Sequence, residues 1–196
     1  MKRPSIQAGL QGLERGFTLI ELIVTIGIVG ILMALAVPAF QTMLQNNRDT
    51  GAINALFQSM NYARNTALSL GTPVEVCPFS APQATTCGAS WSTGWITISL
   101  PTANSPTPPL LRVYQPASAG PVTSAVPVSG VAATSVTFDA HGLATTVAQF
   151  KTCDTNRPTG VSPAQYARSL QVNATGFVQL GQTPGTAVWG GTLTCP

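Results

Sequence analysis

Charge is what this chain has least of. Only 8% of its 196 residues are Asp, Glu, Lys or Arg, about a third of the usual share. With 44% hydrophobic residues, that balance excludes an intrinsically disordered chain, which needs high charge and low hydrophobicity. The few charges are also unevenly placed. Lys2, Arg3 and Arg15 precede Phe17, and so does Glu14. From residue 17 onward six basic side chains meet five acidic ones, so the formal net charge of +3 is mostly leader. It is poor evidence for a nucleic-acid partner.

Histidine is nearly missing. His141 stands alone in a turn-like stretch, Asp139-Ala140-His141-Gly142, with no nucleophile beside it. Catalysis needs a nucleophile or base with an orienting partner, so no enzyme is expected and no cofactor. The four cysteines, Cys77, Cys87, Cys153 and Cys195, contain no C-x-x-C pair, so no metal site is expected. An even count after an export signal favours disulfides in an oxidising compartment. Three pairings are possible. Cys77–Cys87, closing a small loop, with Cys153–Cys195, tying down the C-terminus, is the expected one, and a Cys87–Cys153 linkage would overturn it.

What the chain does have is a long apolar run. It opens at Phe17, carries one acid at Glu21, and shows no charge from Leu22 to Asn47. A bilayer needs about 20 apolar residues. A carboxylate within such a run costs roughly 2.5–3.5 kcal/mol at a helix centre and less near its end, so Glu21 calls for a partner. Residues 17–70 read as one helix in two halves. The first, 17–40, is apolar all round, with Gly27, Gly30 and Pro38 as weak points and a kink expected at Pro38. In the second, Ile53, Leu56, Phe57, Met60, Ala63, Ala67 and Leu70 recur every three or four residues as one stripe. Asn54, Ser59, Asn61, Arg64 and Asn65 fall on other faces. Gly71 and Pro73 end the helix.

Strand-like runs follow at 74–79, 94–100, 110–114, 135–139, 147–153 and 169–180, the last broken by a turn at Asn173-Ala174-Thr175-Gly176. That turn matches a glycosylation sequon by chance. Residues 101–109 and 116–130, rich in Pro, Ser, Thr and Ala, read as surface loops. Trp95 reads as a sheet core residue. The expected fold class is α+β: an amphipathic helix covering the apolar face of antiparallel sheets. The expected organisation is a leader at 1–16, a membrane helix at 17–40, an amphipathic helix at 41–72 and a β-rich domain at 73–196.

Two export signals compete. Ala34-Leu35-Ala36 fits ordinary signal cleavage and predicts a soluble protein starting at Val37. That reading leaves Glu21 without a use and cuts an unbroken helix. The alternative junction is Gly16-Phe17-Thr18-Leu19-x-Glu21, which resembles the class III signal of type IV prepilins and pseudopilins. The resemblance implies that a prepilin peptidase removes residues 1–16 and that Phe17 is then N-methylated. It also implies that Glu21 pairs with the Phe17 amine of a neighbouring subunit during assembly.

The rest of the chain resembles the GspH/FimT family of minor pilins and pseudopilins. The carriers are Asn61-Tyr62-Ala63-Arg64-Asn65-Thr66-Ala67, Val74-Glu75-Val76-Cys77, Thr93-Gly94-Trp95-Ile96, Val136-Thr137-Phe138-Asp139 with Gly142, and Cys153-Asp154. The implied fold is a type IV pilin-like helix packed on antiparallel sheets. The implied protein is a single-pass bacterial inner-membrane subunit with its C-terminal domain in the periplasm. It would join a type IV pilus or a type II secretion pseudopilus, near the tip, beside other minor pilins and the major pilin. An alternative family role is DNA binding for transformation, through a Gly-Arg-x-Arg motif. Here that place reads Gly176-Phe177-Val178-Gln179, without either arginine. Lys151, Arg157 and Arg168 lie nearby and would make at most a weak DNA contact, since phosphate binding rests on such cations.

Overall fold

The computed structural model describes residues 16–81, 85–102, 109–116, 120–154 and 162–195. The expected leader up to residue 15, Arg157 and residues 103–108 lie outside these. The described residues fall into two compact units, one ending at Ala39 and the other starting at Phe40. A single helix, α1 (Leu19–Leu70), contributes to both and keeps Pro38 inside it.

In the first unit every residue from 16 to 39 is exposed. The second unit holds eight described strands: β1 (Val74–Pro78), β2 (Trp95–Ser99), β3 (Leu110–Tyr114), β4 (Val122–Val126), β5 (Val136–Phe138), β6 (Ala148–Cys153), β7 (Arg168–Val172) and β8 (Val178–Leu180). They form two four-stranded sheets, ordered β3-β2-β1-β5 and β4-β6-β7-β8, with every pairing antiparallel.

The core lies where α1 meets both sheets. Ile53, Leu56, Met60, Ala63 and Ala67 form one buried cluster with Val74, Val76, Trp95, Val136 and Phe138 of the first sheet and Phe150, Leu170 and Val172 of the second. Helical spacing brings these five α1 residues to one face, and each buried large side chain stabilises by about 1.5–3 kcal/mol over its exposed state. The expected stripe needs two corrections. Leu70 is 53% exposed, because α1 ends there and the chain turns away at Gly71, φ 62°. Ser59, expected on a polar face, is buried. Its hydroxyl accepts the indole N–H of Trp95 at 2.9 Å while donating to the carbonyl of Ala55. A buried indole needs an acceptor, and a small hydroxyl on the packed face supplies it. Trp95 also stacks on Tyr114, ring centroids 4.2 Å apart.

A third correction concerns residues 116–130, expected as loop. They contain β4, which pairs with β6 over five consecutive positions, and a two-residue turn joining Val128 to Val131 through reciprocal backbone bonds. Ser129 and Gly130 both have positive φ there, as such hairpin turns require. The small side chains of Thr123, Ser124 and Ala125 give β4 little apolar signal. The strand forms because β6 offers it an edge.

The tail at 181–195 is folded back on the second sheet. Ser169 of β7 donates to the Thr186 carbonyl and accepts the Val188 N–H. Leu193, Ala187, Trp189 and Cys195 pack with Cys153 and Ala167. Disulfides join Cys77 to Cys87 and Cys153 to Cys195. The second spans 42 residues, and closing such a loop restricts the unfolded chain by about 4 kcal/mol. The double variant Cys153→Ser/Cys195→Ser is expected to lose stability on that order in urea unfolding. Unchanged unfolding would show that the tail is held by its packing alone.

Candidate functional site: an exposed apolar helix with one acid

The chain's most distinctive surface begins where α1 begins. Thr18 caps the helix, its Oγ1 accepting the Glu21 N–H at 3.3 Å. Ser or Thr followed three residues later by Glu is a recognised helix start, so the Thr18–Glu21 spacing carries a second meaning that the charge pattern hides. The cap places Glu21 in the first turn of α1, where the helix dipole favours a carboxylate. Phe17 is 84% exposed. Beyond Glu21 the exposed side chains are apolar on every face, Leu22, Ile23, Val24, Ile26, Ile28, Val29, Ile31, Leu32 and Met33 among them, apart from Thr25, whose hydroxyl donates to the Leu22 carbonyl at 2.8 Å. Gly27 and Gly30 face open space. This part of α1 is long and apolar enough to cross a membrane, with a mean hydropathy of 2.6.

A surface of this size is not compatible with water. A lipid bilayer or a bundle of similar helices would cover it. In either setting Glu21 is the one ionisable side chain in the run.

The other residues named from the sequence sit in the second unit. Lys151 of β6 donates to the Thr194 carbonyl of the tail. Arg168 of β7 donates from Nη2 to Oδ1 of Asn46 on α1 at 2.9 Å, and from Nη1 to the Gln182 carbonyl. Burial lowers the Arg168 pKa from its ordinary value. Both cations are therefore engaged within the fold. Gly176 sits in the β7–β8 turn, against Gly142 of the Asp139–Gly142 turn. The two turns are joined by the Ala144 N–H donating to the Ala174 carbonyl at 3.1 Å. Arg64 of α1 locks them, its Nε donating to the Gly142 carbonyl at 3.0 Å, so it is half-buried rather than on a free polar face. Asp139 accepts the N–H groups of Leu143 and His141. The Leu143 bond above all holds its carboxyl below the ordinary 3.8. These bonds shape a turn and leave His141 exposed, its Nδ1 3.9 Å from the Asp139 carboxylate.

Trp91 was missed by sequence reading. It is buried, lies edge-on to Phe150 with centroids 4.8 Å apart, and donates its indole N–H to the Ala133 carbonyl. The short run Ser90-Trp91-Ser92 offers no strand or helix period that would have marked it.

Comparison with known proteins decides the family. The profile described as type II transport protein GspH matches residues 52–176. The chain belongs to this family. The prokaryotic N-terminal methylation motif matches residues 13–37 of this GspH-family chain, across the Gly16–Phe17 junction and Glu21. Among curated relatives, a type IV major fimbrial protein FimA of Dichelobacter nodosus is 27% identical over 84 residues, 43% of this chain and 47% of that one. The type IV narrow pilus major component PilA5 of Thermus thermophilus is 38% identical over 81 residues, 40% of this chain and 69% of that one. The chain spans about half the length of the FimA relatives it matches. A crystal structure of the Pseudomonas aeruginosa type IV minor pilin FimU aligns at 20% identity, with a TM-score of 0.47, over 72% of this chain and 92% of that one. This GspH-family chain is similar to type IV pilins over about half of their length. Its methylation motif and apolar N-terminal helix fit an anchor in the inner membrane.

Proposed function

We propose that the chain is a minor pilin or pseudopilin, an assembly subunit of a type IV pilus or a type II secretion pseudopilus that acts at or near the filament tip. A prepilin peptidase cuts between Gly16 and Phe17 and leaves an N-methylated Phe17. Residues 17–40 first anchor the subunit in the inner membrane and then enter the filament core beside the major pilin and other minor pilins. Residues 41–72 join the anchor to the β-rich domain of 73–196, which faces the periplasm. The observation that carries this reading is the exposed, largely apolar run whose one charge is Glu21, directly after the Gly16–Phe17 junction. Mass spectrometry of the protein from its host tests it. A mature chain starting at methylated Phe17 is expected, and one starting at Val37 would overturn the reading. Neighbouring genes separate the two machines: other minor prepilins indicate a pilus, whereas a secretin and pseudopilin cluster indicates secretion.

DNA capture is the weaker role. Lys151 and Arg168 donate to groups of their own fold, and neither arginine of the binding motif follows Gly176. A gel-shift titration at low salt is expected to show no retardation of double-stranded DNA. Clear retardation that weakens with salt would restore that role.

A further inference from the structure

The Cys77–Cys87 disulfide has a third group beside it. Glu75 stands two residues before Cys77 on β1, so the two side chains share a face of the strand. The two sulfurs and a Glu75 carboxylate oxygen all lie within 4.8 Å of one another. Cys77 is buried in a cluster with Phe79, Ile96 and Ile98. Cys87 is exposed and Glu75 is half-buried. The group thus has an apolar floor and a side open to water. Sequence spacing conceals it, because Cys77 and Cys87 are ten residues apart and only folding returns Cys87 to β1.

The disulfide is not all that holds Cys87 there. Phe79 and Cys87 pair as an antiparallel bridge. The Gly88 N–H donates to the Pro78 carbonyl at 2.6 Å, and the hydroxyls of Ser80 and Thr86 are 3.2 Å apart. Gly88 lies so close to Phe79 that a Cβ on it would stand 2.6 Å from the Phe79 carbonyl oxygen. These contacts run largely through the backbone and do not depend on the sulfur–sulfur bond. Opening that bond therefore leaves two thiols beside one carboxylate.

That donor set suits a thiophilic cation. Thiolates favour Zn²⁺ over hard divalent ions. Zinc lies about 2.3 Å from sulfur and about 2.0–2.2 Å from a carboxylate oxygen, so one ion reaches all three donors after small side-chain rotations. Zinc is ordinarily four-coordinate, and the open side admits water as the fourth ligand. We propose that the reduced chain binds one thiophilic divalent cation, typified by Zn²⁺, through Cys77, Cys87 and Glu75, and that this site and the disulfide are alternative clasps between β1 and Cys87. A dithiol reductant opens the disulfide by giving up two electrons and two protons, leaving two cysteine thiols and becoming a disulfide itself. The ion then displaces both thiol protons. A disulfide oxidant takes back two electrons, re-forms the Cys77–Cys87 bond and releases the ion.

The test is Co²⁺ titration of the full chain in detergent, reduced and then freed of reductant under argon. A thiolate-to-cobalt charge-transfer band is expected to saturate at one equivalent, to bleach on adding Zn²⁺, and to be absent from the oxidised chain. Cys87→Ser is expected to abolish the band. Glu75→Gln should weaken Co²⁺ binding at least tenfold, and Cys195→Ser, which leaves this site whole, should bind as the parent does. No band in the reduced parent overturns the site, as does a band that survives Cys87→Ser. Equal affinity in Glu75→Gln overturns the carboxylate ligand. Circular dichroism follows the fold throughout. Should reduction unfold the chain, Zn²⁺ is expected to restore the fold in the parent and not in Cys87→Ser, and failure to restore it overturns the site.

Discussion

Glu21→Ala is expected to be inserted and cleaved like the parent chain and then to be excluded from filaments, by at least tenfold in the sheared filament fraction. The proposed cleavage after Gly16 would leave a cationic amine on Phe17, just before the Thr18 cap and four residues from Glu21. In lipid, both charges lie near the end of the apolar run, where the cost is small. In a bundle of parallel helices they move into a drier setting, and each needs an opposite charge. In the proposed assembly, a small axial stagger would bring the Glu21 carboxylate of one subunit to the Phe17 amine of the next. A buried pair of this kind adds little net stability, and its best-attested use is to fix register. Removing the acid leaves the amine unpaired, which costs about 3–5 kcal/mol for a buried pair broken on one side. Glu21→Gln separates charge from shape: it keeps the size and the Thr18 cap and should fail nearly as badly. Immunoblots of filament and membrane fractions read the result. Normal incorporation of Glu21→Ala would end the pairing idea.

The helix and most strands were legible because their signals are local. The period of Ile53, Leu56, Met60, Ala63 and Ala67 is set by the helix itself, and the β-branched runs around Val74 and Val136 need no partner to be seen. What escaped depends on residues far apart in sequence. Ser59 looked polar and solvent-facing until Trp95, 36 positions away, required an acceptor. β4 lacks apolar alternation, and only the β6 edge makes it a strand. Thr18 was hidden in plain view: the same spacing that marks a processing signal also marks a helix cap, and the charge of Glu21 drew the reading to one of the two. The candidate site was legible for a simple reason. An acid in an uncharged run is conspicuous in one dimension. The partner proposed for it lies on another chain, and no single sequence carries that distance.

A large effect of a single substitution on stability is expected at Gly176. Its φ is +75°, a conformation costing about 1–2 kcal/mol for any residue with a Cβ. A Cβ there would also lie 1.8 Å from the Gly142 carbonyl oxygen and 2.9 Å from Arg64 Nε. The nearest obstacle is backbone, so no rotamer change relieves it. Gly142 has little freedom to retreat. Its own φ is +75°, it abuts Leu68, and its carbonyl is held by Arg64. Moving either turn strains the Ala144–Ala174 bond as well. Gly176→Ala is therefore expected to cost at least about 3 kcal/mol, a fall in Tm of roughly 6–12 °C at this chain length. Gly190→Ala is the control, since Gly190 has φ +100° but open space where its Cβ would go. It should cost only the conformational part. Thermal unfolding of the full chain in detergent compares the two, and equal losses would show that the contact between the turns is dispensable. Gly176 is thus required here by its backbone conformation and its packing. Its presence says nothing about DNA, and the decision on that function rests with the residues that follow it.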